Sequence, residues 1–170
     1  LYVGRLVKSK NVEGLIVEFN KKFADKKAVL KIIGSGDEEE FLRKKYTSSK
    51  VVFFGAIFGD DLISEFRSAS CFVFPSELDA WGLVINEALS SSLPVITTKL
   101  VGSYYDLIQD KETGMIASDI NEFGDMMLKI YNNSDLLLNF SENAYYMMKD
   151  HWNYDLYNKC LKGVINKINL

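Results

Sequence analysis

The chain has 170 residues, 48% hydrophobic and 25% charged, with a net charge of −3. That is enough for one substantial globular domain with its own core. The acidic balance argues against a nucleic-acid partner, which needs a basic face, and no apolar run reaches the length of a bilayer span.

The elements alternate. "LYV" is a short strand ending at Gly4; it opens without an initiator Met, so an N-terminal part is expected to be missing. Val12, Leu15, Ile16, Phe19 and Phe23 recur at helical spacing. The pairs Lys21-Lys22 and Lys26-Lys27 read as solvated helix ends. "AVLKII" is a strand closed by "GSG", and "DEEEFLRKKY" a helix with acids first and bases last, as its dipole favours. "VVFF" is a third strand ending at Gly55, "DDLISEFRSA" a helix, and "CFVF" a fourth strand stopped by Pro75. "GLVINEALSS" is a helix, "PVITT" a strand, "GSYYDLIQD" a short helix and "GMIA" a short strand. Helices are expected over Asn121 to Tyr131, Ser134 to Lys149 and Tyr154 to about Ile168.

Strands alternating with helices imply βαβ units and a mostly parallel, Rossmann-like sheet flanked by helices. The expectation is a single domain: an α/β core over about 1–119 and a helical C-terminal tail over 120–170. Ligands of such sheets bind outside the carboxyl ends of the strands. Gly4-Arg5, Gly34-Ser35-Gly36, Gly55-Ala56 and the loop after Pro75 should therefore converge on one crevice. The two cysteines, Cys71 and Cys160, form no metal-spaced cluster; Cys71 reads as a core thiol, which fits a reducing compartment. The single histidine, His151, lies in the tail and reads as structural or surface.

"PSELDAWGLVINEALSSSLPV" (75–95) places Glu77, Asp79 and Glu87 in otherwise apolar company. Leu83, Val84, Ile85, Ala88 and Leu89 cover most of the helix circumference, so the helix is expected to be buried nearly all round. A carboxylate there needs partners. Glu87 is satisfied either by neighbouring amides or a base, or by a ligand's hydroxyls; a vicinal diol offers two donors to two acceptors. Gly82 permits a close backbone approach, and the first amides of the helix, at Gly82, Leu83 and Val84, either face a phosphate or are capped in the ordinary way. Asp79 caps this helix or binds sugar hydroxyls; Glu77 reads as a solvated loop residue; Trp81 anchors the core or walls the pocket. Arg5 and Lys10 should hang over the same crevice, where two cations and a helix start can hold a diphosphate without a metal. Surface salt-bridging is the plainer alternative for each. The "GSG" turn lacks a third glycine, and Asp37, Glu38, Glu39 and Glu40 would repel a pyrophosphate, so it reads as a tight turn and not a dinucleotide fingerprint.

"GRLVKSKNVEGLI", "LKIIGSGDEEEFL", "VVFFGAI", "FVFPSELDAWGLVINEALSSSLPVI" and "VGSYYDLIQDKETGMI", in this order, resemble the C-terminal, nucleotide-sugar-binding domain of bacterial family 4 glycosyltransferases, one half of a GT-B fold. The resemblance covers Leu1 to about Asp119, and the terminal helices fit it. It implies transfer of a sugar from a UDP-, GDP- or ADP-sugar to an acceptor with retention at the anomeric carbon, no cofactor and no metal. It also implies work on cell-surface polysaccharides at the cytoplasmic face of the membrane, in capsule or O-antigen synthesis, with possible peripheral membrane association of the full-length protein. By position, Arg5 and Lys10 match the basic pair on the diphosphate. Glu87 matches the second acid of the E-x7-E motif, on the ribose. Asp79 stands where the first Glu does, near the donor sugar. Gly82, Leu83 and Val84 match the helix start facing the phosphates, Gly4 ends the first strand beside them, and Gly55 and Ala56 lie near the base. Asp79 is one methylene shorter than the family's Glu, about 1.5 Å, and Ser92 replaces a common Gly. If that Gly takes positive φ, Ser there is modestly strained.

The resemblance also implies a missing N-terminal domain that carries the acceptor sugar or lipid-linked saccharide, so this chain alone is expected to be inactive. Three other readings compete: a nucleotide-sugar-binding module that has lost catalysis and serves a partner protein, a nucleotide-sugar 2-epimerase, and a dinucleotide oxidoreductase. The second lacks the further acids and histidines it needs, and the third lacks its glycine fingerprint.

Overall fold

A computed structural model describes residues 1–108 and 112–168. In chain order the elements are β1 (Tyr2–Val3), a single 3-10 turn (Lys8–Lys10), α1 (Val12–Phe23), β2 (Leu30–Ile33), α2 (Glu39–Tyr46), β3 (Val51–Gly55), α3 (Gly59–Ser68) and β4 (Phe72–Phe74). Then follow α4 (Leu83–Ser90), β5 (Val95–Thr98), α5 (Tyr104–Leu107), β6 (Gly114–Ala117), α6 (Asn121–Tyr131), α7 (Ser134–His151) and α8 (Tyr154–Ile168). Every expected element is present. The strands after Ala28 and Cys71 start one or two residues late, α2 starts at Glu39, and α7 runs on to His151. The helix expected over "GSYYDLIQD" is one turn, Tyr104–Leu107; Gln109 and Asp110 lie outside the described residues.

All strands pair in parallel, in two sets of three: β1-β2-β3, with Tyr2 opposite Ile32 and Leu30 opposite Val51, and β4-β5-β6, with Phe72 opposite Val95 and Val95 opposite Gly114. The Val73 amide donates to the Leu1 carbonyl at 2.9 Å and lays β1 beside β4. The order across the molecule is therefore β3-β2-β1-β4-β5-β6, whose direction of winding reverses between β1 and β4. In sheets of this kind the reversal opens a crevice at the carboxyl edge. The strands are short and apolar because helices cover both faces. Tyr2, Ile32, Phe72, Phe74, Val95 and Ile96 are fully or almost fully buried, with Leu15, Ile16 and Phe123 closing over them from α1 and α6.

The "GSG" turn has a steric basis. A Cβ on Gly34 would sit 1.9 Å from the Gly4 carbonyl oxygen, and one on Gly36 would sit 2.4 Å from that of Leu6. The loops after β1 and β2 run against each other, with the Leu6 amide on the Ser35 carbonyl at 2.8 Å and the Glu38 amide on the Leu6 carbonyl at 2.9 Å. The turn's job is this backbone-on-backbone contact.

Two expectations about α4 resolve differently. It is not buried all round: Ile85, Ala88 and Leu89 face the core, whereas Leu83 is 71% exposed and Glu87 and Ser90 are also exposed. Apolar residues wrap the sequence, but at the carboxyl edge of the sheet one flank of the helix borders the open crevice. Ser92, after the helix, does take φ 58°, and the Ser92 and Leu93 amides close the helix end on the Leu89 and Ala88 carbonyls. At the far end of the chain, α8 has no buried residue, and Tyr154, Leu161, Val164, Ile165 and Ile168 along it are exposed.

Candidate functional site

The site grows from two loops laid side by side at the reversal point. The loop after β1 carries Arg5 and Lys10; the loop after β4 carries Pro75 to Gly82. They are stitched by the Glu77 amide on the Ser9 carbonyl at 2.8 Å and by Asn11 Nδ2 on Glu77 Oε1 at 2.8 Å. Glu77 is exposed, in keeping with a solvated loop residue, although it holds Asn11.

Lys10 departs from the salt-bridging surface residue that the sequence allows. Its side chain is buried, and its ammonium donates to Asp79 Oδ2 at 2.7 Å, the Leu78 carbonyl at 2.9 Å and Ser76 Oγ at 3.2 Å, with the Phe74 ring beneath it. Asp79 faces it from a half-buried position and turns its other oxygen to the Trp81 amide at 3.2 Å. Burial pushes the Asp79 carboxyl pKa up, but the Lys10 hydrogen bond and charge and the amides of Trp81 and Gly82 outweigh it and hold the group below the usual carboxylate range. Asp79 thus shapes the turn before α4 through Lys10 and the Trp81 amide and does not cap the helix, whose N-cap is Gly82 with no side-chain hydrogen bond.

The floor of this turn is built from hydroxyls. Thr97 Oγ1 donates to the Phe74 carbonyl at 3.0 Å, Thr98 Oγ1 to the Ser76 carbonyl at 2.7 Å, and Ser76 Oγ to the Leu78 carbonyl at 3.0 Å; all three residues are buried. Ser76, Thr97 and Thr98 were not among the residues singled out from the sequence. The signal for Thr97 and Thr98 was present in "PVITT", where two hydroxyls end an apolar strand; Ser76, after Pro75, carried none. The Gly102 amide on the Asp79 carbonyl at 2.9 Å and the Ser103 amide on the Trp81 carbonyl at 3.0 Å brace the turn from the loop after β5.

Gly82 takes φ 81° directly before α4, and a Cβ there would meet Val101 Cγ1 at 2.7 Å. The first amides of α4, at Leu83 and Val84, have no partners inside the helix. Leu83 and Glu87, four residues apart, share its open flank. Among the described residues the Glu87 carboxylate has no side-chain or backbone partner, and loss of hydration raises its pKa. The Arg5 guanidinium is likewise exposed and unpartnered among the described residues; its carbonyl accepts the Tyr2 hydroxyl. Gly4, Gly34 and Gly55 line up across the first three strand ends, with the Gly4 amide on the Ile33 carbonyl at 3.0 Å and the Gly34 amide on the Gly55 carbonyl at 2.8 Å; Ala56 beyond them is exposed. Trp81 is half-buried, its Nε1 donating to Asn86 Oδ1 at 3.0 Å and its ring tilted against Trp152 with centroids 5.9 Å apart.

The structure therefore brings Lys10, Asp79, Trp81 and Gly82 into one bonded group. Arg5, Gly4, Gly55 and Ala56 lie along the same edge of the sheet without touching that group. A cavity of about 550 Å³ lies beside the site between the loop after β4, the ends of β5 and β6, and α6; another of about 350 Å³ lies at the opposite edge. Neither is lined by Arg5, Lys10, Asp79 or Glu87. Among the described residues, no three His, Cys, Asp or Glu side chains are grouped to hold a metal, and no helix is long and apolar enough to cross a membrane.

A parallel sheet whose winding reverses between β1 and β4, with helices on both faces, defines a doubly wound α/β domain. Residues 1–147 match the family model for glycosyl transferases group 1, and the chain belongs to that family. It is 37% identical over 116 residues to sulfoquinovosyl transferase SQD2 of Arabidopsis thaliana, covering 67% of this chain and 22% of that protein. It is 29% identical over 153 residues to the capsular polysaccharide biosynthesis glycosyltransferase CapM of Staphylococcus aureus, covering 84% of this chain and 39% of that one. Among solved structures it superimposes on Anabaena HepE in complex with UDP with a TM-score of 0.84 at 16% identity, over 98% of this chain and 48% of that one. The chain thus spans from about a fifth to about half of these three proteins, and its fold is that of GT-B C-terminal domains.

Proposed function

We propose that this chain is the donor-binding half of a retaining hexosyltransferase that uses a nucleotide sugar. The observation carrying the proposal is Glu87: an exposed carboxylate without a partner among the described residues, one helical turn beyond the amides of Leu83 and Val84. Its two oxygens suit a ribose diol, while the amides and the unpartnered Arg5 suit the diphosphate. Gly55 and Ala56 then border the base, and Trp81 walls the pocket. The chain's own contribution to transfer is electrostatic: it offsets charge that develops on the departing nucleoside diphosphate. The proposed donor needs no metal or other cofactor. The crevice lies open on this chain, and we assign the acceptor, a sugar or lipid-linked saccharide, to a further domain across it. The likeness to CapM, a capsular polysaccharide biosynthesis glycosyltransferase, favours a role in cell-surface polysaccharide synthesis, which we assign to the cytoplasmic face of the membrane. In this reading the chain alone binds donor weakly and transfers nothing.

A second reading, a binding module without transfer activity, draws support from Asp79, whose carboxylate is already committed to Lys10 and the Trp81 amide. Asp79→Glu in the full-length protein, assayed for transfer, separates the two readings. The donor site itself is tested by a thermal-shift panel of nucleotides and nucleotide sugars. One nucleoside diphosphate class should raise the melting temperature; Glu87→Ala should abolish the shift and Glu77→Ala should keep it. Equal shifts in both variants would remove the ribose assignment.

A further inference from the structure

Asp79 occupies the place of a bound anion. One oxygen takes the Lys10 ammonium at 2.7 Å, and the other takes the Trp81 amide at 3.2 Å, at the foot of α4. A cation and backbone amides before a helix are the groups that a phosphate oxygen would seek here. An ammonium has three protons to give, and those of Lys10 go to Asp79, Leu78 and Ser76. With the side chain 8% exposed, no spare donor points to solvent.

We infer that Asp79 is a built-in competitor of the donor diphosphate, which gains Lys10 only as the Asp79 carboxylate yields it. The inference rests on the nucleotide-sugar reading above. The exchange is balanced: the Leu78 carbonyl and Ser76 hydroxyl remain on Lys10 as neutral partners, and one anion replaces another, so no buried charge is left bare. The short Asp side chain tightens the competition, since it reaches the ammonium and the Trp81 amide at once. Apparent affinity for a diphosphate is then reduced by the fraction of molecules in which Lys10 is held.

The test is calorimetric titration of UDP, GDP and ADP into wild type, Asp79→Asn, Asp79→Ser, Glu87→Gln and the double variant Lys10→Met/Asp79→Asn, each checked for a native melting transition. Asn and Ser keep a neutral acceptor for the Trp81 amide and release the ammonium. The diphosphate that wild type prefers should bind Asp79→Asn and Asp79→Ser about tenfold more tightly. The gain should vanish in the double variant, and Glu87→Gln should weaken binding. A merely structural Asp79 predicts equal or weaker binding in both single variants, and that result overturns the inference alone if wild type binds and Glu87→Gln weakens it. Absence of binding by wild type and Asp79→Asn alike overturns the nucleotide reading and the inference with it.

Discussion

The two halves of the sheet build their strand-end turns by opposite means. On the β1-β2-β3 side, the turns are made by leaving side chains out: backbone lies on backbone at Gly34 and Gly36, with no room for a methyl group. On the β4-β5-β6 side, they are made by putting polar atoms in: Ser76, Thr97, Thr98 and Asp79 hold carbonyls and amides that the loop would otherwise leave unpaired. The first half therefore tolerates no addition at these glycines; the second tolerates no subtraction, nor an addition at Gly102, where a Cβ would sit 2.0 Å from the Ala80 carbonyl oxygen. The groups able to meet a ligand gather where the two meet, because there Lys10 of one loop reaches Asp79 and the Leu78 carbonyl of the other.

Changes that break this contrast should differ in size. Gly34→Ala forces a Cβ against the Gly4 carbonyl oxygen at a position with φ 135°, where something in the backbone must shift. A loss of about 4 kcal/mol or more in a denaturant melt is expected, or failure to fold. Thr98→Val keeps shape but strips the Ser76 carbonyl and the Leu100 amide of their partner, for about 1–3 kcal/mol in the same melt. The smallest effect is in pH. The Asp79 carboxyl pKa is depressed in the fold, so its contribution is present above the unfolded value, roughly 4, and is lost as pH falls through the lower folded value. Melting temperature should fall with acid more steeply in wild type than in Asp79→Asn; parallel acid limbs would show that the Lys10 pair contributes nothing measurable.

The sequence made the architecture legible because its strands are short apolar runs closed by Gly or Pro and its helices keep a 3.6-residue period. The α4 segment misled, because Leu83 and Val84 look like core residues by hydropathy while Leu83 faces solvent. Period and composition report what a residue is, not which neighbour stands opposite. Lys10 is the sharper case. Its place just before α1 singles it out over Lys8, but not its burial: Lys8 is exposed, and Lys10 lies buried against a carboxylate 69 residues further along the chain. Such long-range pairing appears only when both loops are placed. The positive φ of Ser92 was legible only through the resemblance, which sets a common Gly there, while Gly82 was legible as a glycine that permits close backbone approach.

Trp81 and Trp152 are the only tryptophans in the chain, and they touch. All indole emission thus originates in a single corner, at the threshold of α4, with one ring braced by Asn86 and the other contributed by the residue that ends α7. The chain carries an intrinsic optical reporter there: a ligand settling on this threshold, or trimming of the tail before residue 152, would register directly in its fluorescence without any label.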